Sequence, residues 1–99
     1  DIVINTTTAG MGKLKDIYPW DRIDEIKDKD IISSKTSAID LIYNPPCTKF
    51  LQFSKDKGAK TLNGLDMLIY QGVVAYELFT GTKVTDDLIE EIRKEVFKV

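Results

Sequence analysis

The residues best suited to act on a ligand are polar or conformationally special groups set among apolar ones, and none of them is a proton-transfer set. Gln71 is the one long uncharged polar side chain in the stretch Leu65 to Phe79, where only Asp66 and Glu77 carry charge. Leu65, Leu68, Ile69, Val73 and Tyr76 form one apolar stripe of this stretch, and Met67, Tyr70, Val74 and Leu78 occupy much of the rest. A helix apolar nearly all round must be covered nearly all round. Burial would then oblige Gln71 to find partners in protein, water or a ligand, which makes it a candidate polar handle in an apolar cleft. Met67 lies four residues earlier, so a helix stacks the two on one face.

Composition removes several classes of function. The chain has 99 residues, no histidine and one cysteine, so neither a zinc cluster nor a histidine-based triad can be assembled from it, and no internal disulfide can form. A metal-free, cytoplasmic protein is the expectation. A net charge of -2 gives no electrostatic case for nucleic acid or an anionic membrane. No apolar run reaches the roughly 18 residues of a membrane span, and the amino end lacks the pattern of a signal peptide. The opening Asp1-Ile2-Val3-Ile4 has no methionine and starts inside a β-branched run that reads as a buried strand, so residue 1 is expected not to begin the natural gene product.

Elements that could position these groups follow from period and punctuation. The first strand ends at a turn around Gly10 and Gly12. Lys13 to Asp30 is polar, with Ile17, Trp20, Ile23 and Ile26 three apart, which suits a short helix or an extended flap anchored on one side, with Pro19 near its start. Ile31-Ile32 could open another extended stretch. Ala38 to Tyr43 is the clearer strand, and alternation puts Ile39, Leu41 and Tyr43 on one face before Asn44-Pro45-Pro46 stops it. Thr48 is placed to cap a helix running to Lys57, with Gly58 as its left-handed terminator. Ala59 to Asn63 reads as a third strand, the apolar helix runs to about Gly81, and Thr85 opens a last helix with Leu88, Ile89, Ile92 and Val96 on its inner side. Strands alternating with helices predict an α/β fold with a parallel sheet of about three strands. A bare first strand would leave one sheet edge open.

Three blocks fall at the carboxyl ends of these strands, where open α/β sheets bind ligands. They are Asn5-Thr6-Thr7-Thr8-Ala9-Gly10-Met11, then Asp40-Leu41-Ile42-Tyr43-Asn44-Pro45 with Thr48 and Leu51, then Asn63-Gly64-Leu65 with Met67 and Gln71. In this order and at these separations they resemble the carboxyl-terminal half of shikimate dehydrogenase.

The resemblance implies the second half of a truncated Rossmann-like dinucleotide-binding domain over residues 1–82. Residues 83–99 would be a terminal helix packing on it or on a missing amino-terminal domain. It implies a parent enzyme that interconverts 3-dehydroshikimate and shikimate in aromatic amino-acid biosynthesis with NADP, NAD being possible and quinate an alternative substrate. Asn5 and Thr7 match positions beside the nicotinamide end of the cofactor, Leu41 and Met67 match residues against the nicotinamide ring, and Gly64 matches a backbone contact to the cofactor. Tyr43 and Gln71 match substrate contacts. The family's catalytic lysine and aspartate and its glycine-rich phosphate loop have no counterpart here, and Gly10-x-Gly12 is no substitute because Lys15 stands where a third glycine is needed. No catalytic residue is therefore expected in this chain, and in isolation it should be inactive.

The bland readings stand beside these. Tyr43 is by default a half-buried aromatic, Met67 core filler, Gln71 a solvated helix residue and Gly64 a tight-turn residue. Asp40 interrupts an apolar strand and is expected to hydrogen-bond backbone or a neighbouring loop rather than to do chemistry. Cys47 has no nearby base and reads as inert, and Asp86-Asp87 as a helix-terminus charge match. The alternative from a different class is a non-catalytic interaction or structural module that docks, through its open strand edge and apolar helix, on a partner or a second copy.

Overall fold

The computed structural model describes residues 1–21 and 31–98. Three strands, β1 (Ile2–Asn5), β2 (Ser37–Asp40) and β3 (Lys60–Leu62), form one sheet in the order β1-β2-β3, and both pairings are parallel. Helices α1 (Lys49–Asp56), α2 (Leu65–Thr80) and α3 (Asp86–Val96) complete the order read from the sequence, with one added 3-10 turn at Gly12–Leu14. Residues 1–65 and 66–99 form two compact units, taken in turn below.

In the first unit the register aligns Val3 with Ala38 and Thr61, and Asn5 with Asp40, so these residues share one face. That face is packed: Ala38, Phe50, Leu51, Trp20 and Ile32 form the buried cluster, with Val3, Tyr18 and Phe53 against it. The Tyr18 and Trp20 rings stack at 5.1 Å, and Phe50 and Phe53 meet Trp20 edge-on. Helix α1 is brought to this face by its ends. Thr48 caps it, its Oγ1 accepting from the Leu51 N–H at 3.2 Å, and Gly58 stops it at φ +84°.

The opposite face carries the row Ile4, Ile39 and Leu62, in which Ile4 and Leu62 are each 50% exposed. The expectation of a buried first strand is therefore corrected. β1 is buried only on the side of Val3 and Asn5, and Ile2 is 69% exposed. Further corrections concern length. β2 ends at Asp40, so Leu41 and Tyr43 do not continue its alternation, because the Asp40 carboxylate draws the Ile42 N–H out of the ladder at 3.0 Å. Ile31 and Ile32 belong to no strand; Ile32 enters the core beside a turn closed by the Thr36 N–H on the Ser33 carbonyl. Of the apolar residues spaced through the early polar segment, Trp20 is buried and Ile17 half-buried in consecutive turns, whereas Ile23 and Ile26 lie outside the described residues.

The second unit is built from α2 and α3. Thr85 caps α3 through the Leu88 N–H, and Asp86 and Asp87 occupy its first turn, where the helix dipole favours them. The Arg93 guanidinium of α3 hydrogen-bonds the Asp66 carboxylate of α2 and reaches Glu90 at 3.5 Å. Its pKa is raised, first by the hydrogen bond to Asp66. The apolar surround expected to cover all of α2 is not there: Leu78 is 80% and Phe79 90% exposed. Ile69 is buried on this helix, and Ile89 on α3, whereas Leu88 and Val96 are exposed.

Candidate functional site

The tips of β1 and β2 are joined through one buried carboxylate. Asp40 is fully buried, and its Oδ1 accepts from the Asn5 side-chain amide at 3.1 Å and from the Ile42 N–H at 3.0 Å, while Oδ2 accepts from the Thr48 hydroxyl at 2.6 Å. Three donors and no cation satisfy it among the contacts that the structure describes. Such a group is tolerated in an apolar core only because its lone pairs are met. Asn5 in turn donates to the Ala9 carbonyl at 3.0 Å and accepts, through Oδ1, from the Thr7 N–H and hydroxyl at 3.0 and 2.6 Å. Thr7 Oγ1 then accepts from the Ala9 N–H at 3.1 Å. The polar groups of Asn5 and Thr7 are thus occupied in shaping their own loop.

Leu41 and Tyr43 lie in the segment after β2, which is irregular yet tied at consecutive residues, Leu41 and Ile42. The Leu41 N–H donates to the Asn5 carbonyl at 3.2 Å, and the Ile42 carbonyl accepts from the Gly64 N–H at 3.0 Å. Gly64 is needed there for a steric reason. A Cβ on it would stand 1.8 Å from the Leu41 carbonyl oxygen and 2.4 Å from its carbon, which no backbone contact permits. The tight-turn reading of Gly64 thus gains a specific cause: the β3–α2 connection crosses the Leu41 backbone in direct contact.

A hollow of about 390 Å³ opens at these tips, lined by Met11, Gly12, Leu41, Ile42, Tyr43 and Asn44. Its wall is mostly apolar, and among the described residues none that lines it is basic. That composition suits a flat ring. A larger apolar hollow, about 480 Å³, lies between α2 and α3, and Tyr76 brings the one hydroxyl among its described lining residues.

Of the residues picked out in the sequence, Asn5, Thr7, Leu41 and Gly64 are linked as described, and Tyr43 stands 43% exposed at the hollow's rim. Met67 and Gln71 sit one turn apart on α2. Both are exposed, and the Gln71 amide donates to the Leu68 carbonyl at 3.0 Å. The condition on which Gln71 would have been forced into a partnership, burial, does not hold in this chain. Asp40 makes the backbone and loop hydrogen bonds expected of it, and Thr48, expected as a cap, is also its partner. An acidic residue interrupting an apolar strand was the visible signal of the junction they make.

A parallel sheet with loops at its carboxyl edge, a helix between β2 and β3 and two helices after β3 is an α/β architecture, a class whose open sheets bind ligands at that edge. Comparison with known proteins narrows this. The Shikimate 5'-dehydrogenase C-terminal domain family matches residues 64–96. A shikimate dehydrogenase (NADP(+)) of Methanococcus maripaludis is 43% identical over 83 residues, covering 84% of this chain and 28% of its own length. Among solved structures, a chorismate mutase/shikimate 5-dehydrogenase fusion protein from Clostridium acetobutylicum superimposes with a TM-score of 0.80 at 30% identity, over 98% of this chain and 33% of that one. Shikimate 5-dehydrogenase from Listeria monocytogenes, solved with shikimate and NAD, gives 0.74 at 30% identity over 92% of this chain and 29% of that one. A 5-ketofructose reductase of Gluconobacter gives 0.73 at 32% identity over 98% of this chain and 32% of that one. By sequence and fold, the chain corresponds to the carboxyl-terminal portion of shikimate dehydrogenases. It spans about a third of the length of the relatives it matches.

Proposed function

We propose that this chain is the ring-holding portion of an NADP-dependent oxidoreductase that interconverts 3-dehydroshikimate and shikimate. The observation that carries the reading is the hollow at the β2 tip, walled by Leu41 and rimmed by Tyr43, in a chain related to NADP-dependent shikimate dehydrogenases. When bound, the nicotinamide supplies the hydride; the protein's part is to bind, orient and exclude water. Leu41 presents an apolar wall to the ring, with Met67 packing on it. Asn5 and Thr7 shape the loop beside it, and Gly64 lets the backbone come close. Tyr43 and Gln71 offer a hydroxyl and an amide to a polyhydroxylated substrate. Phosphate binding and proton transfer are assigned to residues other than these, since among the described residues none that lines the hollow is basic. NAD in place of NADP, and quinate in place of shikimate, are alternatives within the same reading. Residues 1–82 would be half of the dinucleotide domain and residues 83–99 a terminal helix.

The test is a chimaera in which these residues replace the matching segment of the Methanococcus maripaludis enzyme. Oxidation of shikimate and quinate is assayed with NADP and NAD side by side. Shikimate oxidation is the expected result, with the isolated 99-residue chain inactive. A folded chimaera with no turnover, beside an active parent enzyme, refutes the reading. A second reading, a module that docks through its open strand and apolar helix, is favoured by the exposure of Ile2, Ile4, Leu78 and Phe79. Light scattering behind size exclusion tests it: a monomer at all concentrations that does not bind the amino-terminal portion of a relative speaks against docking.

A further inference from the structure

The junction beneath the hollow contains the one ionisable group among the described residues that is fully buried and that the proposed chemistry does not use. Asp40 bonds to three segments at once: the β1 tip through Asn5, its own following loop through the Ile42 N–H, and the start of α1 through Thr48. Each bond orients a group that bonds onward. Asn5 holds Thr7 and Ala9, the Ile42 carbonyl, one peptide beyond the N–H that Asp40 takes, accepts from the Gly64 N–H, and the Thr48 oxygen holds the Leu51 N–H. An apolar residue in place of Asp40 could fill the space but would leave three donors unanswered in a site closed to water. A carboxylate is well matched to this place, since the Asn5 amide, the Ile42 peptide and the Thr48 hydroxyl all present hydrogens toward one point.

We propose that Asp40 is a positioning residue, which fixes the spacing between the Asn5–Ala9 loop and the Leu41–Tyr43 segment and so sets the shape of the ring-binding hollow without touching its contents. This rests on the proposed function for its catalytic consequence, while its structural consequence is independent of it. Asparagine at this position keeps one carbonyl oxygen for Asn5 and Ile42, and its amide can donate to Thr48 Oγ1, which can still accept from Leu51. Alanine keeps none of these bonds.

Amide hydrogen exchange on the 99-residue chain is the first measurement. Asp40→Ala should speed exchange at Thr7, Ala9 and Ile42 at least about tenfold more than at Ala38 in the neighbouring ladder, and Asp40→Asn should not. Uniform acceleration throughout the chain would show Asp40 to be a stabilising residue only and would overturn the proposal. Should Asp40→Ala not fold, Thr48→Val against Thr48→Ser carries the same comparison, read at the Ile42 amide. The second measurement uses the chimaera, with rates expressed per folded molecule. Misplacement of ring-holding groups on the ångström scale can cost about 100-fold, so Asp40→Ala should lose on the order of 10- to 100-fold in kcat, with Asp40→Asn close to the parent. An unchanged kcat per folded Asp40→Ala molecule overturns the proposal. An inactive unsubstituted chimaera counts against the proposed function alone, and the exchange result then decides the role of Asp40.

Discussion

Replacing Gly64 with alanine gives a sharp test of how the strand tips are assembled, because the added atom meets backbone and not a side chain that could turn aside. The new Cβ would sit 1.8 Å from the Leu41 oxygen, and a tolerable carbon–oxygen contact is about 3.3 Å. The two connections must therefore separate by about 1.5 Å. That movement breaks the 3.0 Å bond from the Gly64 N–H to the Ile42 carbonyl, a loss of about 0.5–1.5 kcal/mol. Overpacking strain adds about 1–3 kcal/mol. A destabilisation of about 1.5–4.5 kcal/mol follows, a large share of the roughly 5–15 kcal/mol of a domain this size. The melting temperature should fall by at least about 6 °C. Gly72→Ala is the internal control: its Cβ would meet nothing within 4 Å on α2, and helix propensity alone predicts a gain of up to about 1 kcal/mol. Circular dichroism melts of the three proteins under identical conditions provide the assay. If Gly64→Ala melts within about 2 °C of the parent, Leu41 and Gly64 are not in the contact described, and the account of the tips fails.

Other substitutions address the remaining parts. Thr48→Val should cost about 2–4 kcal/mol by urea denaturation, since it removes both a helix cap and a donor to a buried carboxylate, while Thr48→Ser should recover most of it. Phe50→Ala, at a side chain 1% exposed beneath the sheet, should cost about 3–5 kcal/mol by the same measurement and leave a partly unfolded chain. Arg93→Gln should lower the melting temperature modestly at low ionic strength, and that difference should shrink in about 0.5 M salt, because the pair with Asp66 is partly exposed. In the active chimaera, Gln71→Ala should raise KM for shikimate far more than KM for NADP; equal losses would count against a substrate contact.

The order of elements was legible because each boundary carries a residue with a mechanism. Thr48 and Thr85 cap helices through their own oxygens, and Gly58 and Gly81 end helices at positive φ. The extent of β2 was not legible. Alternation reads through Asp40 as if it were an interruption to be tolerated, whereas the carboxylate takes up the next peptide and ends the strand. The burial of β1 was misjudged for another reason. Continuous β-branched sequence marks a strand covered on both faces, but in this chain one face of the strand stays half exposed. The pattern reports the cover a strand is selected to have, and the described residues supply only one side of it.

The same distinction explains why the site was only half readable. Leu41, Tyr43, Met67 and Gln71 are the groups expected to face a ligand, and three of them lie at the surface: Tyr43 and Met67 are about half exposed, and the exposed Gln71 bonds to its own helix. Asn5, Thr7 and Gly64 were singled out with them, yet their functional groups point back into the protein, where they hold loops or permit a crossing. Asp40 and Thr48, which lie outside the proposed chemistry, are bonded in the same way as Asn5, with three and two side-chain hydrogen bonds at the tips. A site divided in this way has its scaffold formed by hydrogen bonds within the chain and its contact residues at the surface. The scaffold variants should therefore show their defects in exchange and melting of this chain alone. Variants of the contact residues should be silent there and change only turnover by a longer protein. A large melting defect from Gln71→Ala in the 99-residue chain would break that division.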